Sequence, residues 1–215
     1  MSVNFELDEL ESRAKIIVED FSGIFSPYDA FYIHSIIYSA SRCLEAFEHY
    51  EFAKEKQADS DYSISLVQEA IGHAAALSRY FWPVWYPGKL NKTHPYQAAL
   101  RKKRGEKLIS AFGMEEDSPI HNRDLRNAWE HFDENLDDYL LKNDAGHFFP
   151  DSAIGNHTLA DEPAYHLFKL LDPEAECLVL MGKKYFFGPI KSEVARIYDR
   201  ANYLQQNGYN LRPLL

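Results

Sequence analysis

Only two cysteines, Cys43 and Cys177, occur in 215 residues. They stand far apart in a chain long enough to bury its own core, so a disulfide framework is excluded. Both read as buried free thiols, which places the chain in a reducing cytoplasm. No stretch approaches the roughly 18 uncharged apolar residues of a membrane-spanning helix. The N-terminus lacks a basic start, an apolar block and a small-residue cleavage site, so neither export nor membrane insertion is expected. Phosphate-cradling loops of the GxxxxGKS and GxGxxG kinds are missing, as is a glycine-flanked serine nucleophile. Nucleotide-triphosphate motors, dinucleotide enzymes and serine hydrolases therefore find no support. Basic charge is also short: 23 Lys and Arg against 33 Asp and Glu leave a net charge of −10. That balance repels a polyanion and argues against non-specific binding of duplex DNA.

What is present is apolar and periodic. With 46% hydrophobic and 14% aromatic residues the chain has the makings of a core, and disorder as a class is excluded. Helical spacing runs over residues 5–20, then over 28–57 behind Ser26-Pro27, then over 62–82, where Pro83 stops it. The aromatic, proline-bearing segment 82–88 reads as a packed connector, followed by a fourth helix over 96–112 that ends at Gly113. A fifth runs from Ser118 as N-cap to about residue 141. Residues 142–162 turn polar and read as a long surface loop. Three short strands follow over 165–171, 176–181 and 184–187, with Asp172-Pro173 and Gly182-Lys183 as turns. A last helix spans 188–206. The expectation is a single, mainly α domain over 1–215. It is a bundle of long antiparallel helices with its core in 28–141, followed by a loop, a small antiparallel β meander and a final helix.

Chemistry concentrates in the fifth helix. With Phe132 at the centre of the buried face, Leu125, Ala128, Trp129, Leu136 and Tyr139 gather around it. Arg126, Asn127, Glu130 and His131 fall on the polar side. Residues four apart are neighbours, so the Asn127 amide is placed to orient the His131 imidazole, and Arg126 is placed to pair with Glu130. Imidazole titrates near neutrality and can move a proton, while guanidinium offers a planar fork of donors matched to phosphate. On one straight helix, however, Arg126 and His131 diverge by about 140° and about 7.5 Å, so they meet on one phosphate only across two copies. The plainer reading is a helix-surface ion pair beside a hydrogen-bonded histidine.

Arg126, Asn127 and His131 resemble the signature of the HEPN superfamily, an Arg, a polar residue and a His within one helix of a bundle. The resemblance covers six residues and, at most, the bundle over 28–141. It implies a metal-independent endoribonuclease acting as a homodimer, with His131 as general acid or base, Arg126 as phosphate clamp and Asn127 as orienter, supported by Arg123 and Glu130. It also implies kinship with toxins or phage-defence effectors that have a cognate antitoxin. The alternative is a catalytically silent module of the same kind that binds RNA, a nucleotide or a protein partner. No cofactor and no metal is expected. Glu45/His49 and Glu69/His73 lack the spacing of di-iron bundles, and His147, Asp151, His157 and Asp161 read as a solvated loop. The run from Arg101 to Arg104 with Lys107 reads as a solvated helix face, and His34 and His73 as core or interface histidines.

Overall fold

The computed structural model describes residues 5–84 and 90–214, apart from the side chains of Leu90 and Asn91. Helices α1 (Leu7–Phe21), α2 (Asp29–Glu55), α3 (Ser60–Phe81), α4 (Leu90–Thr93), α5 (Pro95–Phe112), α6 (Asp124–Glu130) and α7 (Phe132–Lys142) come first. Strands β1 (His147–Ile154), β2 (Tyr165–Asp172), β3 (Cys177–Leu180) and β4 (Lys183–Phe186) follow, and α8 (Gly188–Gln206) closes the chain. The fold is mainly helical with a small sheet and a final helix, as the periodicity predicts. The connector 82–88 lies largely outside the described residues. No described helix is long and apolar enough to cross a membrane. Two compact units emerge, one from Met1–Ser39, Ala76–His121 and Arg196–Leu215, the other from Ala40–Ala75 and Asn122–Ala195.

In the first unit α1 ends at Ser22, whose φ of 53° is left-handed, and Gly23 follows with φ 93° against the α5 backbone. The Glu11 carboxylate accepts the N–H groups of Tyr96 and Gln97 at 2.7 and 3.0 Å, which caps the start of α5 from a neighbouring helix. Arg196 and Arg200 donate to the carbonyls of Phe112 and Ala111, satisfying the other end. The basic run is largely committed to local contacts. Lys103 pairs with Glu106, Arg104 donates to the Arg79 carbonyl, and Lys107 turns inward to Asp29 at 3.2 Å and to the Ile24 carbonyl. Lys107 thus departs from the expected solvated face, because the buried Asp29 carboxylate needs a counter-charge. Burial raises the Asp29 carboxyl, and Lys107 opposes that rise.

In the second unit the sheet order is β1-β2-β3-β4. Strands β2, β3 and β4 form the expected antiparallel meander. Its tight turn is Met181-Gly182, both with positive φ, so glycine stands at the second central position and not the first. The expected loop 142–162 is corrected: β1 pairs in parallel with β2, with an irregularity between Phe149 and Ser152. Most of β1 is exposed, so it carries no alternation for a sequence reading to detect. The Asp172 carboxylate binds the N–H groups of Glu174, Ala175 and His157 and the His157 ring, and so fixes both the β2–β3 turn and the segment after β1. Phe187, fully buried, stacks on Phe47 at 6.0 Å and meets Tyr50 edge-on at 5.7 Å. Both thiols are buried as expected, Cys43 donating to the Ala70 carbonyl at 3.2 Å.

Candidate functional site

The expected long fifth helix is in fact two. Residues 118–121 form a turn closed by the His121 N–H on the Ser118 carbonyl, so Ser118 is not the N-cap. Asn122 accepts the Asp124 N–H through its side chain at 2.8 Å, and α6 starts there, directly after Arg123. At His131 the backbone leaves the helix, with φ −110° and ψ 37°, before α7 resumes. The break releases carbonyls that a continuous helix would satisfy, and the Asn135 amide reaches that of Ala128 in a long 3.5 Å contact. Across the break Phe132 meets Phe168 of β2 edge-on at 5.1 Å, and Lys169 stands over Trp129 and Phe132.

The break sorts the signature residues into two places. Arg126 keeps its helical geometry: Nε donates to one Glu130 oxygen at 2.8 Å and the terminal nitrogen to the other at 2.8 Å. Its side chain is only 16% exposed. His131 is 56% exposed, with Nδ1 3.5 Å from Glu134. The His131 backbone N–H bonds the Asn127 carbonyl, but among the described residues no side-chain hydrogen bond joins Asn127 to the imidazole. The amide therefore does not orient the ring in the expected way, since the break turns His131 out of the α6 register.

Asn127 and His131 open into a groove of about 640 Å³, which Arg126 does not line. One wall is α6 and α7. The other is the β3–β4 hairpin, which brings Lys183 and Tyr185. The Nε2–H of His166 donates to the Ala145 carbonyl at 2.7 Å, which leaves Nδ1 as an acceptor for the Tyr139 hydroxyl at 3.4 Å. Tyr139 is another lining residue. Burial raises its phenol, and burial also raises Tyr185. Lys142 lies 3.5 Å from Asp138. Sequence reasoning missed the hairpin wall, since no local pattern reports contacts across more than 40 residues.

The remaining candidates do not converge. His157 binds Asp172 and Asp161 binds Lys184, and no group of three metal-capable side chains forms among the described residues. Glu69 and His73 make an ordinary helical pair at 3.8 Å, and Glu45 pairs with Arg42. His34 meets the Tyr209 hydroxyl at 3.1 Å.

No protein-family model, curated protein or solved structure matches this chain.

Proposed function

We propose that the chain is a catalytically silent, HEPN-like binding module on a bundle of long antiparallel helices. Its ligand, whether RNA, a nucleotide or a protein, would occupy the groove that Asn127 and His131 line. One observation carries this reading: the Arg126 guanidinium is closed on Glu130 by two short contacts, and Arg126 stands outside the groove that His131 faces. A phosphate clamp needs a guanidinium whose fork is open to the ligand, and here the carboxylate of the same helix fills it.

A second reading keeps the nuclease. In it Arg126 of one copy meets His131 of its mate across a homodimer, as in a metal-independent endoribonuclease of toxin or phage-defence kind with a cognate antitoxin. What favours it is the exposure of His131, together with a Glu130 carboxylate that is half exposed and so open to exchange of its partner. Incubating the purified protein with mixed RNA in chelator separates the two. Wild type, Glu130→Gln, Arg126→Ala and His131→Ala are all expected to leave the RNA intact. Cleavage by wild type that both Arg126→Ala and His131→Ala abolish would establish the nuclease instead.

A further inference from the structure

We infer that the occupant of this groove is a basic segment of a partner protein, one that places an arginine or lysine between α6 and the β3–β4 hairpin. The inference rests on the groove being a ligand site and adds what the ligand is.

The electrostatics of the second unit point this way. It holds ten Lys and Arg against twenty-one Asp and Glu, while the first unit holds thirteen against twelve. All of the chain's excess acid therefore belongs to the unit that contains the groove. A polyanion approaching that unit is repelled at every distance within a Debye length, about 8 Å at physiological salt. A polycation is drawn in by the same field.

The lining repeats the preference at contact distance. Asp124, Glu134 and Asp138 present carboxylates. The two lysines of the groove each have a neighbour of their own. Lys142 lies 3.5 Å from Asp138, and Lys183 stands 5.2 Å from the Tyr185 ring centroid. Among the described residues the Asp124 side chain makes no ion pair and accepts no hydrogen bond. An acceptor-rich cavity of this size matches a guanidinium or ammonium with its apolar stem, and a guanidinium can meet a carboxylate with two parallel bonds. A phosphate would face the unpaired Asp124 carboxylate, with Asp138 beside Lys142 and Glu134 beside His131 at 3.5 Å each.

The test uses a short fluorescein-labelled peptide of alternating arginine and glycine, followed by fluorescence anisotropy at physiological salt. Two triple variants are compared with wild type. Asp124→Asn/Glu134→Gln/Asp138→Asn removes the groove carboxylates. Glu48→Gln/Glu55→Gln/Asp61→Asn removes the same charge from exposed positions of the same unit that do not line the groove. The groove variant is expected to bind roughly tenfold more weakly, and the control close to wild type. The single Asp138→Asn, which leaves α6 untouched, keeps the comparison available if the triple variant does not fold. Equal weakening in both triples would reduce the effect to bulk charge and overturn the inference. So would no binding of the peptide, or binding of a short labelled RNA strengthened by removing the groove carboxylates. That last result would leave the groove standing as a site and change only its ligand. Cleavage of RNA by wild type would end the silent reading without altering the peptide result, so the two proposals fail separately.

Discussion

Asp172→Ala is expected to destabilise the protein by about 3–5 kcal/mol, which for a chain of this size lowers the melting temperature by roughly 10 °C. Asp172 is buried, and burial alone would raise its carboxyl. Three backbone N–H groups and the His157 ring outweigh that and hold it down at about 2. Alanine leaves those donors without an acceptor at the β2–β3 turn and at the segment after β1. The pH dependence follows from the direction of the shift. A carboxyl depressed from 3.8 to about 2 contributes its stability in full above the unfolded value. The contribution, about 2 kcal/mol, is lost as pH falls through the folded value. Thermal melts of wild type between pH 5 and about 2 are expected to show this loss, and Asp172→Ala to lack that part of the slope. Melts that stay parallel over the whole range would show that the carboxylate is not the support described.

Gly23→Ala is expected to cost about 3–6 kcal/mol or to prevent folding, because two separate penalties coincide. At φ 93° an L side chain is strained, and a Cβ there would stand 2.3 Å from the Arg104 nitrogen and 2.5 Å from the Lys103 carbonyl carbon. Those are backbone atoms of α5, so no rotamer change relieves the clash and the helix itself must move. Gly208→Ala separates the two terms. Its φ of 80° imposes similar strain, but nothing lies within 4 Å of its Cβ position, so only about 1–2 kcal/mol is expected. Comparable melting temperatures for the two variants would mean that the approach of residue 23 to α5 contributes nothing.

The helices were legible wherever one face of a long segment is buried, because Ile33, Ile36, Ala40 and Phe47 in α2 keep the period that packing demands. Punctuation was legible too: Ser22-Gly23, Gly113 and Asn207-Gly208 stop helices where left-handed backbone is needed. Strand β1 was hidden by its exposure on both faces, which erases the alternation that betrays a half-buried strand. The break at His131 was hidden for a different reason. Neither glycine nor proline marks it, and the contacts that accompany it come from Phe168 and Lys169 on β2, nearly 40 positions away. As for the site, the pairing of Arg126 with Glu130 follows from spacing alone and is found. The groove does not follow from spacing, because its second wall is a hairpin that only the tertiary fold places opposite α7.

Backbone amide chemical shifts followed by NMR, as the arginine-glycine peptide and then a short RNA are added, test the site most directly. Changes confined to the amides of residues 124–142 and 180–185, produced by the peptide and not by the RNA, are what a ligand-binding groove with a closed Arg126 predicts. Changes centred on the basic stretch of α5, with the amides around His131 unmoved by either addition, would contradict it.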